Sequence, residues 1–262
     1  MAAVIHYCWF GGEKPEKVRR CIESWKRFEP KCEIIEHGEM RKQVRPVFSH
    51  EDFGYVESEY FRRAIAAKQW AFAADYARLK VLEAVGGVYL DTDIEMKAPI
   101  VEMMTRHRLT LSFEKNCVQG CVIGCESHHP FIQRLLAEYD RDVDIGIPGH
   151  EPKSIVTRIT DLLIDEYGLR SPFGEQTLRE DIHILPANRL LVDMQDGENL
   201  AVHHYAASWT DEFDADGFVR DVKRYCDWPN ASIKFRVKER IKMFLQYRLP
   251  CLYRIIRDRK FP

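Results

Sequence analysis

Apolar positions along the chain switch between short continuous runs and a three-to-four spacing, and that alternation predicts an α/β protein. Ala3–Trp9 reads as a short buried strand, stopped by Gly11-Gly12. Pro15 suits the first turn of a helix, and Val18, Ile22, Trp25 and Phe28 follow on one helical face. Glu33–Glu36 is a second strand, so the opening is strand–helix–strand and implies a parallel sheet. Residues 56–85 read as one helical stretch, ended by Gly86-Gly87 because glycine accepts the left-handed conformation past a helix end. Val88–Ile94 then returns as a strand. Leu109–Phe113 and Gly120–Cys125 are further strands, Pro130–Tyr139 and Ile155–Tyr167 helices, and Ile182–Leu185 and Ala201–Tyr205 short strands. Residues 231–259 read as helices interrupted near Pro250. The sequence leaves the strand order open.

Length and charge refine this picture. A chain of 262 residues, 45% hydrophobic, can bury the core of one large domain with an appendage. Residues 233–262 hold ten Lys/Arg against Glu239 and Asp258, a local charge of +8, which leaves −10 on the rest of a chain with net charge −2. An acidic body of residues 1–230 and a basic helical tail of residues 231–262 are expected, with an anionic surface as a partner of the tail. Nothing at the start resembles a signal peptide, and no apolar run approaches the roughly 20 residues of a membrane span. The eight cysteines are too sparse for a disulfide scaffold and are read as reduced thiols of a cytoplasmic protein.

The strongest chemical signal is GGVYLDTDIE at 86–95. Alternation along a strand puts Tyr89, Asp91 and Asp93 on one face. Two carboxylates at the end of a buried strand are costly unless compensated. A divalent cation that also bridges a diphosphate would compensate them, and their removal should then relieve repulsion in the metal-free protein. Open α/β sheets bind ligands at this strand end. The ordinary alternative is an exposed Asp-Thr-Asp turn. In the preceding helix, Ala71, Phe72, Leu79, Leu82 and Val85 form an apolar stripe, and Asp75 and Arg78 fall inside it. Charges on a buried face are paired or functional. They form either a structural ion pair or a polar pair at the edge of a donor pocket.

AFAADYARLKVLEAVGGVYLDTDIE (71–95) resembles the DXD core of glycosyltransferase family thirty-two, sugar-binding-region transferases of capsule and polysaccharide synthesis that are similar to the clostridial glucosylating toxins. VIHYCWFGG (4–12), CIESWKRFEP (21–30) and HHYAASW (203–209) resemble other elements of that family, in the same order. The resemblance implies a GT-A-like, Rossmann-type mixed sheet flanked by helices, a nucleotide-sugar donor with a UDP-sugar favoured, and Mn²⁺ or Mg²⁺. It also implies a glycan or lipid-linked acceptor and retention at the anomeric carbon. By position, Trp9 would stack on the base, Asp75 and Arg78 would contact ribose and donor sugar, and Tyr89 would line the donor site. Asp91 and Asp93 would handle metal and ribose, with Asp93 the firmer ligand. Ala74 stands where the family usually has Ser, and His37-Gly38 where it often has Trp-Asn.

Of His203 and His204, adjacent on a strand, only one can face the site, and His203 is preferred as a metal ligand beside the carboxylates. Ser208 and Trp209 are placed as a lid over the diphosphate. Cys117, Cys121 and Cys125 lack a zinc-site spacing and are read as small buried thiols, and His128-His129 as surface. Ile233, Val237, Ile241, Phe244 and Leu245 form an apolar stripe flanked by cations, which either meets an anionic membrane or packs on the domain. No nucleic-acid partner is expected. A nucleotidyl- or phosphotransferase could use the same carboxylates but would want a phosphate cradle, and no GxxxxGK[ST] pattern is present. A catalytically inactive sugar-nucleotide-binding protein is the other alternative.

Overall fold

The computed structural model describes residues 3–10, 12–38, 54–142, 144–147, 150, 152–171, 173–195, 197–206 and 214–260. Strand β1 (Val4–Trp9), helix α1 (Glu16–Phe28) and strand β2 (Glu33–Gly38) form the expected opening unit, with β1 and β2 parallel. Helices α2 (Glu59–Ala66) and α3 (Trp70–Val85) lead into β3 (Gly87–Leu90), which pairs in parallel with β1. A short β4 (Ile94–Met96) and α4 (Val101–Met104) follow. Next come β5 (Leu109–Glu114), β6 (Cys117–Val118), β7 (Val122–Cys125), α5 (Pro130–Tyr139) and α6 (Ile155–Leu162). Strands β8 (Gln176–Leu178), β9 (Ile182–Leu185) and β10 (Ala201–His203) precede α7 (Ala215–Cys226), α8 (Ile233–Arg248) and α9 (Pro250–Lys260).

The main sheet has the order β2-β1-β3-β7-β5-β9-β8, with β6 added to β5. Strands β2, β1, β3, β5 and β9 run one way; β7 and β8 run antiparallel to their neighbours. Apolar cores lie on the two faces. One gathers α2, α3, α5 and α6 with Phe113, Ile123 and Ile184; the other gathers α1 with Val88, Leu90 and Val122. The protein is therefore a mixed α/β sheet flanked by helices, as the chain's periodicity predicts.

Three local expectations change. The stretch 56–85 is not one helix: it divides at Lys68, which takes a positive φ of 56° and turns α3 back against α2. Helix α3 also has no single stripe, because α2, α5 and the sheet surround it. Ala73, Tyr76, Ala77 and Val81 are buried with Leu79 and Leu82, whereas Ala71, Phe72 and Val85 are half-buried. Strand β3 stops at Leu90. Asp91–Asp93 make a turn closed by the Ile94 N–H on the Asp91 carbonyl (3.0 Å), and β4 departs to pair with β10 in a separate ribbon. Gly86 ends α3 at φ 68°, ψ −157°, an extended mirror region open only to glycine. A Cβ there would meet the Cys125 carbonyl at 2.8 Å.

Candidate functional site

In this topology the carboxyl ends of β1, β3 and β5 lie on one edge of the sheet, bringing Trp9, Asp91 and Glu114 to the same side. The Asp91–Asp93 turn is held from beneath by α1. Trp25 Nε1 donates to the Ile94 carbonyl (2.7 Å), and the Met96 N–H donates to Ser24 Oγ (2.9 Å). Two chemically different halves meet at the turn.

The first half is organised by Arg78, buried in the middle of α3. Its guanidinium lies 2.8 Å from Asp75 and 3.1 Å from Asp91, donates to the Gly120 carbonyl (2.6 Å), and sits over the Tyr89 ring at 4.5 Å. Tyr89 Oη donates to Asp91 (3.0 Å). Asp75, Arg78, Tyr89 and Asp91 thus form one cluster, with a single guanidinium between two carboxyl groups. Burial pushes the Asp75 carboxyl up to about 7 despite Arg78, and it raises Asp91 as well, with Asp93 adding to the shift.

The second half is built on β10. His203 Nε2 lies 3.2 Å from Asp93 Oδ1, and the Ala206 N–H donates to Asp93 Oδ2 (2.8 Å). Burial favours a neutral Asp93, yet the His203 imidazole and the Ala206 N–H outweigh it and hold the carboxyl well below its ordinary value. Burial likewise opposes charging of His203, but Cys121 and Asp93 raise it well above its ordinary value. His204 turns away and pairs with Glu95 at 2.9 Å. The structure therefore directs His203, and not His204, to the carboxylates.

One atom each of Asp91, Cys121 and His203 lie within 4.8 Å of one another. Among the described residues, the buried Nδ1 of His203 has no hydrogen-bond partner. These donors fit a divalent cation, with Asp93 adjoining. Cys121 was expected to be an ordinary buried thiol of a strand. It is buried as expected, but it precedes β7, and its carbonyl accepts the Asp91 N–H at 2.8 Å, which sets it beside the carboxylates.

Glu114 is a site residue that the sequence reading missed. It ends β5 next to Tyr205 and His203, and burial raises its carboxyl. A carboxylate at the carboxyl end of a parallel strand was the available signal, the same one that singled out Asp91. Trp9 ends β1 on this edge, and its indole donates to the Gly12 carbonyl (3.0 Å). Ser208 and Trp209 lie outside the described residues. His129 is not a surface residue: it caps α5 by accepting the Phe131 N–H (3.2 Å) and is fully buried.

Residues 15–110 match the family described as glycosyltransferase sugar-binding region containing DXD motif. This stretch of the chain is similar to a DXD glycosyltransferase region. The region supplies Asp75, Arg78, Tyr89, Asp91 and Asp93, whereas Glu114, Cys121 and His203 come from beyond it. The chain is similar to human alpha-1,4-N-acetylglucosaminyltransferase, 27% identical over 97 residues, covering 37% of this chain and 27% of that protein. It is also similar to an uncharacterized glycosyltransferase of Acanthamoeba polyphaga mimivirus, 24% identical over 196 residues, covering 71% of this chain and 73% of that one. The chain thus spans about a quarter of the human relative's length and about three quarters of the viral one's. Among solved structures, PaToxG glycosyltransferase aligns with a TM-score of 0.44 and 18% identity, covering 63% of this chain and 68% of that chain.

Proposed function

We propose that the protein is a metal-dependent glycosyltransferase that moves a hexose or N-acetylhexosamine from a nucleoside-diphosphate sugar, with UDP favoured, to a glycan or lipid-linked acceptor. The observation that carries this reading is the meeting of Asp91, Asp93 and His203 at the carboxyl edge of the sheet, within a chain that has a stretch similar to a DXD region. Bound Mn²⁺ or Mg²⁺ would neutralise charge on the departing diphosphate. Asp91, Asp93 and His203 would hold it, with Asp91, oriented by Arg78 and Tyr89, also facing the ribose. Asp75, on the far side of Arg78, completes the donor pocket, and Trp9 offers a stacking face to the base.

In the reaction the acceptor oxygen forms a bond to the anomeric carbon as the bond from that carbon to the diphosphate oxygen breaks. The acceptor proton passes to the departing phosphate, which gives a same-face displacement with retention. The deciding experiment incubates the protein with UDP-sugars and candidate acceptors, with and without Mn²⁺, and identifies products by mass and anomeric NMR. Metal-dependent release of nucleoside diphosphate coupled to a retained glycoside is expected. Release of the sugar 1-phosphate with a nucleotidylated acceptor, or of UMP with a sugar-phosphorylated acceptor, would instead indicate nucleotidyl or phosphoryl transfer.

A lipid-linked acceptor is supported by residues 231–262, which we take as a surface element appended to a catalytic domain of residues 1–230. No helix among the described residues is long and apolar enough to cross a membrane. Helix α8, however, turns Ile233, Val237, Ile241 and Phe244 outward, at 73%, 53%, 59% and 58% exposure. Its opposite edge is fixed in the main core through Met243 and Tyr247. Of the predicted stripe only Leu245 is partly covered. Lys234, Lys238, Arg240 and Arg248 flank the exposed row, and each cation near an anionic bilayer contributes about 1 kcal/mol. Arg254 and Arg257 are engaged elsewhere, binding α9 to Asp161 of α6. Docking at the cytoplasmic membrane face also suits eight free thiols. Sedimentation with phosphatidylserine vesicles should be strong, salt-sensitive and lost in Ile241→Glu/Phe244→Glu; equal sedimentation of both proteins overturns this placement.

A further inference from the structure

We propose that the cleft between the β5–β6 turn and helix α7 is a phosphate subsite for the acceptor, whose sugar is therefore carried on a phosphodiester or diphosphate. The inference rests on the glycosyltransferase reading of the DXD edge and deepens it by naming the anionic group that the acceptor brings.

The cleft opens beside the site. Glu114 ends β5 next to His203 and Tyr205, and Lys115 is the next residue. From the other side, the centroid of the Tyr205 ring lies 4.0 Å from that of His203 and 5.0 Å from that of Phe218 on α7. Lys115, Phe218, Arg220, Asp221 and Arg224 line a cleft of about 490 Å³. An acceptor whose phosphate rests on Lys115 brings its sugar over Glu114, toward His203.

The backbone commits Lys115 to this place. It is the first of the two residues that join β5 to β6, and it takes a φ of 54°, where glycine is the usual choice. A lysine kept in that strained conformation points to a task. Its ammonium sits 3.5 Å from the centroid of the Phe218 ring, on the cleft wall. The neighbouring charges are unevenly paired. Arg224 is committed to Asp221 at 3.0 Å, whereas Lys115 stands 3.8 Å from Asp221 and Arg220 stands 3.9 Å from Asp214, both longer than a hydrogen bond. Asp214 is itself engaged as the cap of α7, accepting the Gly217 N–H at 2.8 Å. Lys115 and Arg220 thus have donors to offer an oxyanion, and a phosphate has oxygens enough to meet both.

What lies beyond the cleft favours phosphate over the carboxylate of an acidic sugar. A second cleft of about 310 Å³ continues along α7; Arg224 lines both, and Met194, Lys223 and Ser232 line the second. Ser232 caps α8, whose first residue, Ile233, begins the exposed apolar row. The path from Glu114 therefore passes cations and then reaches an apolar surface, the order of sugar, phosphate and hydrocarbon in a lipid-linked glycan.

Calorimetric titration of the full-length protein, with UDP and Mn²⁺ saturating the donor site, tests this. The probes are hexyl N-acetylglucosaminyl phosphate, its methyl counterpart and the neutral hexyl N-acetylglucosaminide. The hexyl phosphodiester should bind about tenfold more tightly than the neutral glycoside. That preference should vanish in Lys115→Gln/Arg220→Gln and persist in Lys115→Arg/Arg220→Lys, with UDP–Mn²⁺ affinity unchanged in both, and circular dichroism checks that both are folded. Tighter binding of the hexyl than of the methyl phosphodiester assigns the phosphate to a lipid-linked acceptor, and equal binding assigns it to a soluble phosphoglycan. Equal affinity for phosphodiester and neutral glycoside, or a preference that survives the glutamine substitutions, overturns the subsite and leaves the donor site standing. A protein that binds no UDP with Mn²⁺ overturns both.

Discussion

Asp93 and His203 face each other at 3.2 Å, joining the end of the DXD turn to the last strand of the β4–β10 ribbon. The same carboxylate accepts the Ala206 N–H, and the Asp93 carbonyl accepts the His204 N–H at 3.0 Å. Asp93 is thus a structural anchor of residues 203–206 as well as a prospective metal ligand. At this position the repulsion from Asp91 that removal would relieve is set against the loss of the Ala206 N–H and His203 contacts that the carboxylate makes.

Asp93→Ala should accordingly lower metal-dependent turnover by about 100-fold or more, and should also lose about 1–3 kcal/mol of stability through the stranded Ala206 and His203 donors. Urea denaturation and donor-release assays on the same preparation measure both. Wild-type turnover in the variant would displace the proposed site.

Arg78 bridges Asp75 and Asp91. Arg78→Ala leaves two largely buried carboxylates uncompensated and should cost about 3–5 kcal/mol. Arg78→Lys keeps the charge but not the fork that reaches Asp75, Asp91 and Gly120 together. It should fold better than the alanine variant while binding donor more weakly than wild type. Thermal melts and donor titrations separate the two effects; full donor affinity in folded Arg78→Lys would reduce the cluster to a structural role.

The raised Asp75 carboxyl has a signed consequence. Its folded value of about 7 exceeds the ordinary 3.8, so the native state binds the proton more tightly than the unfolded chain. Stability from this group is full below about pH 4 and is lost as pH rises toward 7. Asp75→Asn mimics the protonated form, so its stability relative to wild type should improve from pH 4.5 to pH 7.5. A difference that is flat with pH would show that Asp75 is ionised throughout.

Helix α8 has two edges of opposite character. Tyr247 Oη donates to the Asn116 carbonyl at 2.7 Å, and Gln246 also bonds to Asn116. Tyr247→Phe should therefore cost about 1 kcal/mol. Ile241→Ser, on the exposed edge, should stay within about 0.5 kcal/mol of wild type. Chemical denaturation of the two variants checks the contrast, and a larger loss from Ile241→Ser would place that edge in a contact.

The elements of the sheet were legible because each carries its own periodicity, as in Val18, Ile22 and Trp25 on α1. The site was legible where one segment supplies it: Asp75, Arg78, Tyr89, Asp91 and Asp93 all fall on one helix, the strand after it and the turn that follows, from Trp70 to Asp93. Glu114 and Cys121 were passed over because their chemistry depends on which strands become neighbours. Even for α8 the apolar stripe was visible, but not the direction in which it points.

The sequence by itself determined the α/β class, the pairing of a DXD motif with a charged helix, and a cationic C-terminal helix. These are local properties, written in spacing and residue type over a turn or two of chain. Only the tertiary structure decided that β3 ends before Asp91, that His203 rather than His204 meets Asp93, and that a thiol at the start of β7 stands among them. Those outcomes depend on strand order and register, and an antiparallel β7 between two parallel strands brings Cys121 to Asp91 in a way that no local pattern encodes.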